Sequence, residues 1–173
     1  LHSARAYGES AALIDLKETP IPKLTHAGIL RNALRFGAAL RKLGLKERAH
    51  IALISENRVQ WGLSYLTGLC FNYVICPIDA KLPENEILNI LHESESTAVI
   101  YSDAFEPLFS EKRSSLKRLK HTINMDIPGR RGKTLSMMEL LQKSPGCDAE
   151  DLPLIDPDAL AEIIFTSGSL GRA

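Results

Sequence analysis

The feature that most constrains this chain is a repeated change of rhythm between short apolar runs and longer stretches with a one-sided apolar face. Ile51 to Ser55, Tyr73 to Ile78 and Ala98 to Tyr101 are of strand length and almost continuously apolar. A strand with one wet face alternates polar and apolar residues, whereas an unbroken apolar strand is buried on both faces. Between these runs the period changes. From Leu24 to Leu43, residues Ile29, Ala33, Phe36, Gly37 and Leu40 recur at the spacing of one helical face, with Arg31, Arg35, Arg41 and Lys42 largely elsewhere. Thr25 is placed to cap that helix and Gly44 to stop it. Alternating helices and doubly buried strands predict an α/β fold, a mainly parallel sheet with helices on both faces.

The same reading extends along the chain. Asn57 reads as the cap of a helix running to about Phe71, and Pro83 suits the first turn of a third helix whose buried face is Ile87, Leu88 and Leu91. Asp103 reads as the cap of a fourth helix through about Leu116. His121 to Met125 then reads as another strand before the Pro128-Gly129 turn. Val59 to Ile78 carries no charge and is long enough to cross a membrane, but Gln60, Ser64, Thr67 and Asn72 interrupt it and Pro77 falls at its end. A buried helix followed by a buried strand is the better reading. The expected organisation is an α/β region over 1–143, an acidic, proline-rich linker over 144–158, and a strand with a truncated loop over 159–173.

Charge and cysteine usage exclude several functions. Lysine plus arginine and aspartate plus glutamate number 21 each, so nothing draws the whole chain to nucleic acid. The basic stretch from Lys112 to Lys133 has no interleaved aromatic residues and reads as a solvated face, with a phosphate or lipid-headgroup patch as the lesser alternative. Cys70, Cys76 and Cys147 form no CxxC pair, and their odd number argues against a disulfide framework, so a cytoplasmic setting is expected, with a position peripheral to the membrane left open. The scattered histidines suggest no metal site. The start at Leu1, without a signal-peptide pattern, reads as a cut boundary. Cys76 is expected to be buried rather than reactive, Trp61 and Tyr65 to be core, and Asp79 to cap a turn or helix.

One stretch carries chemistry. Ile163 to Phe165 reads as a short strand running into Thr166-Ser167-Gly168-Ser169-Leu170-Gly171. Hydroxyls and backbone N–H groups give such a loop the donors a phosphate chain needs, and its glycines let the backbone approach an anion. A plain surface turn explains the same composition equally well. The loop is neither a Walker A sequence nor a GxGxxG fingerprint.

Phe165 to Ala173 resembles the phosphate-binding motif of the adenylate-forming superfamily, the acyl-CoA synthetases and their relatives, roughly [YF]TSG[ST]TGxPK. Leu43-Gly44-Leu45, Ala49 to Leu53, Trp61, Val74 to Asp79 and Leu82 to Ile87 are similar to that family's amino-terminal run in the same order. Leu170 stands where threonine is usual and Ala173 where proline is usual, and Lys46-Glu47-Arg48 replaces a glycine-aspartate turn. The chain then stops before the motif's lysine.

The resemblance implies the first part of the family's large amino-terminal domain. It also implies a parent ligase that joins a carboxylate to ATP as acyl-AMP and passes the acyl group to coenzyme A, with magnesium, and a fatty acid as the expected substrate. Thr166, Ser167, Gly168, Ser169 and Gly171 would hold the β- and γ-phosphates. The family's catalytic lysine, adenine pocket and acyl pocket fall downstream, so this chain is expected to be inactive alone. The alternatives are a non-catalytic binding or assembly module, or an adenylation domain for an aryl or amino acid. In the family the helix matching Thr25 to Leu43 packs partly on a second lobe. Exposure of Ile29, Ala33, Phe36 and Leu40, relieved by a homodimer of the fragment, is therefore expected.

Overall fold

The computed structural model describes residues 2–16 and 20–166. In chain order the elements are α1 (His2–Tyr7), β1 (Ala11–Ile14), β2 (Lys23–Thr25), α2 (His26–Lys42), β3 (His50–Ile54), α3 (Val59–Cys70), β4 (Val74–Ile78), α4 (Glu84–Glu93), β5 (Ala98–Tyr101), α5 (Glu106–Lys112), β6 (His121–Asn124), β7 (Leu135–Ser136) and α6 (Met137–Lys143). Strands β3 to β7 form one sheet in the order β4-β3-β5-β6-β7, parallel at every pairing. β1 and β2 make a separate antiparallel pair. Because the chain adds β4 on one side of β3 and then β5 on the other, the sheet has a switch point at the carboxyl ends of β3 and β5.

Two cores explain why the strands do not alternate. Ile51, Leu53, Ile75, Ala98, Ile100 and Ile123 face a cluster that includes Phe36 and Leu40 of α2, Val59 and Leu63 of α3, and Met137 and Leu141 of α6. Their sequence neighbours Ala52, Ile54, Cys76, Val99 and Tyr101 face Ile87, Ile90 and Leu91 of α4 and Leu108 and Phe109 of α5. Each large side chain so buried contributes about 1.5–3 kcal/mol. The sheet is therefore sandwiched between helices, as the continuous apolar runs require.

Helix α2 begins and ends where its residues dictate. Thr25 Oγ1 accepts from the Gly28 N–H at 3.0 Å. At the other end the Leu45 N–H reaches the Leu40 carbonyl at 3.2 Å and the Gly44 N–H reaches that of Arg41 at 2.9 Å, with Gly44 at φ 90°. This is a Schellman stop, which needs a left-handed residue. Gly44→Ala is expected to lose about 1 kcal/mol in a urea titration; an unchanged midpoint would mean that the turn relaxes without strain.

The expectation of an uncovered α2 does not hold. Ala33, Phe36 and Leu40 are 2%, 0% and 1% exposed, and Ile29 packs against the same cluster. Chain from α3, the sheet and α6 covers that face, so the argument for a homodimer loses its basis. Residues 144–158 also lie against this helix: Cys147 and Leu152 pack on the first core, and Arg41 Nη1 donates to the Asp151 carbonyl at 3.2 Å.

Other differences have local causes. The N-cap of α3 is Arg58 rather than Asn57, and it makes no side-chain cap bond. Its guanidinium instead grips Asp126 by two contacts of 2.9 and 2.8 Å. The stretch after β5 is not one helix capped by Asp103. A 3-10 turn over Asp103–Phe105 precedes α5, and another over Arg113–Ser115 follows it. Pro107 has no N–H to give to the Asp103 carbonyl, so the α-helix restarts with proline in its first turn. Val59 to Ile78 divides into α3 and β4, and no helix among the described residues is long and apolar enough to cross a membrane.

Candidate functional site

The polypeptide returns to the sheet at its free β4 edge. The Ile75 N–H donates to the Ala161 carbonyl at 3.0 Å and the Ile163 N–H donates to the Ile75 carbonyl at 2.9 Å, a single parallel bridge between Ile75 and Glu162. The strand expected over Ile163 to Phe165 does not form; backbone pairing with the sheet is this one bridge, and Phe165 packs its side chain on the second core. Since the bridge is parallel, Thr166 is carried past the end of β4, to the carboxyl edge where open α/β sheets bind ligands.

Two side chains tie this segment down. Tyr65 Oη donates to Glu162 Oε2 at 2.8 Å. Arg48 Nη1 donates to the Leu160 carbonyl at 2.7 Å. The hydrogen bond to the Glu162 carboxylate raises the Tyr65 phenol above its ordinary value, with burial and the nearby negative charge adding to the effect. Tyr65 in turn stacks on Trp61, with centroids 5.4 Å apart and planes 8° from parallel.

Beside the segment lies a cleft of about 630 Å³ at the carboxyl ends of β3 and β4. Its walls include Glu56, Asn57, Trp61, Asp79, Ile164 and Phe165, and Lys81 is the one basic side chain lining it among the described residues. Asp79 Oδ1 accepts from the Lys81 backbone N–H at 2.9 Å, so Asp79 closes a turn at the cleft wall. By contrast, the switch point between β3 and β5 is filled by protein. There Asp126 bonds Arg58 and also accepts from the Asp103 N–H at 2.8 Å.

Of the loop residues singled out in the sequence, Thr166 is described and exposed at this edge. Ser167, Gly168, Ser169 and Gly171 lie outside the described residues. Cys76 is fully buried, and burial pushes its thiol up to about 11, which leaves no thiolate for chemistry near neutrality. No three histidine, cysteine or acidic side chains converge on a metal-sized space among the described residues. Sequence reasoning missed Glu162 and Arg48 as tethers. Nothing in their spacing signals it, because their partners are distant in sequence.

The sequence pattern of the AMP-binding enzyme family matches residues 1–173. The chain is 24% identical to a 3-methylmercaptopropionyl-CoA ligase of Ruegeria lacuscaerulensis, over 99% of this chain and 32% of that protein. It is 27% identical to a chloroplastic long-chain-fatty-acid–[acyl-carrier-protein] ligase of Arabidopsis thaliana, over 98% of this chain and 26% of that one. A crystal structure of a long-chain-fatty-acid-CoA ligase from Archaeoglobus fulgidus superposes with a TM-score of 0.82 at 15% identity, covering 97% of this chain and 33% of that chain. At that identity the likeness speaks for the fold. The chain thus spans about a quarter to a third of the length of these relatives. With the family pattern running the whole length of the chain and its parallel sheet matching the amino-terminal domains of adenylate-forming ligases, this chain belongs to the AMP-binding enzyme family.

Proposed function

We propose that this chain is the amino-terminal part of an ATP-dependent acid–thiol ligase whose carboxylate is a fatty acid. The observation that carries the reading is the family match over residues 1–173, which includes the loop beyond β4. In the proposed reaction a carboxylate oxygen attacks the α-phosphorus of ATP, pyrophosphate leaves, and the thiol of coenzyme A then displaces AMP from the acyl-adenylate. Thr166, Ser167, Gly168, Ser169 and Gly171 would hold the β- and γ-phosphates and steady the departing pyrophosphate, a role of positioning and charge stabilisation. Lys81 at the cleft wall fits the same charge pattern. Magnesium would arrive on the nucleotide's phosphates.

On this reading residues 1–143 form the α/β body, 144–158 an acidic connection laid along α2, and 159–173 the root and start of the phosphate loop. The acyl pocket would be built by later sequence, so the chain alone would be inactive, and the full-length ligase would work in the cytoplasm. Steady-state AMP release by the full-length protein, with coenzyme A and a panel of carboxylates, tests the substrate class. Medium- or long-chain fatty acids should give the highest kcat/KM; preference for an aryl or amino acid would overturn that part of the proposal.

A further inference from the structure

We infer that Tyr65 is a positioning residue for ATP, acting through its hydrogen bond to Glu162 to hold the root of the phosphate loop. The inference rests on the ligase reading above. The segment that leads into the loop is held at its far end by Phe165, which packs on the second core, and at its near end by contacts around Glu162. Its contact with β4 is one bridge, Ile164 just beyond is 61% exposed, and Arg48 reaches it from an exposed turn. A loop that binds a polyanion by geometry needs a rigid base, because each donor must sit within hydrogen-bond reach of its phosphate oxygen.

Tyr65 connects that base to the most rigid part of the molecule. It stands on α3, whose Val59 and Leu63 are 2% and 0% exposed in the first core. The first turn of α3 is pinned by the two-contact Arg58–Asp126 pair. Stacking on Trp61 fixes the plane of the Tyr65 ring, so its hydroxyl presents to Glu162 in one direction. From Glu162 only four residues lead to Thr166, about 13 Å of extended chain at most. Core, helix, phenol and carboxylate therefore form one continuous support beneath the segment that ends at Thr166. Trp61 also lines the neighbouring cleft, so the same stack that steadies Glu162 shapes the wall facing a ligand.

Tyr65→Phe keeps the ring and its stack and removes only the hydroxyl. Two measurements on the full-length protein test the role. In hydrogen–deuterium exchange, amides of residues 161–166 should exchange about ten-fold faster in Y65F, with the core strands unchanged. In the adenylation half-reaction, KM for ATP should rise about ten-fold while KM for the carboxylate stays within two-fold, the size expected for losing one hydrogen bond to a charged partner. Glu162→Ala should reproduce both effects. Glu162→Gln, whose amide oxygen still accepts from Tyr65, should restore KM for ATP to within about three-fold of wild type.

A merely structural Tyr65 would lower the melting temperature without separating the two KM values. Unchanged exchange at 161–166 in Y65F overturns the anchor, and faster exchange with an unchanged KM for ATP overturns its role in positioning. A wild-type protein with no carboxylate-dependent adenylation removes the ligase reading and this inference with it. That outcome is distinguishable because the hydrogen-exchange result needs no activity.

Discussion

Phe71→Ala is expected to lose about 3–5 kcal/mol of folding free energy, and Gly37→Ala to be largely harmless only in that background. Phe71 is fully buried at the end of α3, stacked near Tyr73 with ring centroids 6.3 Å apart and covered by the Arg41 guanidinium 4.7 Å from its centroid. Its ring fills the notch left by Gly37 on α2. A Cβ at position 37 would sit 2.0 to 2.3 Å from three ring carbons, far inside contact distance. Alone, Gly37→Ala should therefore cost about 1–3 kcal/mol by overpacking, against about 1 kcal/mol gained in helix propensity. With the ring gone the methyl has room and the propensity gain remains. The double mutant should be more stable than the sum of the singles by at least about 1 kcal/mol in urea titrations. Simple additivity would mean that α2 and α3 do not meet through this pair.

Gln60→Leu, in contrast, is expected to stabilise the domain by about 1–3 kcal/mol. Gln60 is 0% exposed on the inner face of α3, and neither its amide nitrogen nor its amide oxygen has a hydrogen-bonding partner. The nearby Ser64 hydroxyl is committed to the Gln60 backbone carbonyl at 2.8 Å and does not help. Leucine has similar volume and no polar group to desolvate. A higher melting temperature for the variant is the expected result. A loss of stability would show that a buried water completes the amide's bonds.

The parts of the fold legible in the sequence are those governed by local chemistry. β5 has the bounds expected from its apolar run, β4 starts one residue later than expected, β3 is shifted by one residue at both ends, and α2 keeps the cap and stop that Thr25 and Gly44 encode. That the strands are buried on both faces was visible because burial on two sides abolishes alternation. What escaped depends on partners far away. β1 and β2 are short and partly exposed, with a bulge between Ala11 and Leu13, so neither period shows clearly. β7 is two residues long and has no sequence signature of its own. α6 did carry a signal, Ser136 three residues before Glu139, and the Ser136 hydroxyl indeed accepts from the Glu139 N–H at 3.1 Å. Of the loop expected from its glycines and hydroxyls, Thr166 lies past the end of β4, and the other residues lie outside the described ones. The tethers at its root, Tyr65 to Glu162 and Arg48 to Leu160, join residues 97 and 112 positions apart and follow only from the folded chain.

Fatty-acid-dependent ATP–pyrophosphate exchange, measured in parallel on the full-length protein and on the 173-residue chain, tests the central claim most directly. The account predicts exchange by the full-length protein that requires both ATP and the fatty acid, and none by the chain alone, since phosphate-loop residues without an acyl pocket cannot bring the two reactants together. Absence of exchange in the full-length protein with fatty, aryl and amino acids alike, or exchange by the isolated chain, would contradict it.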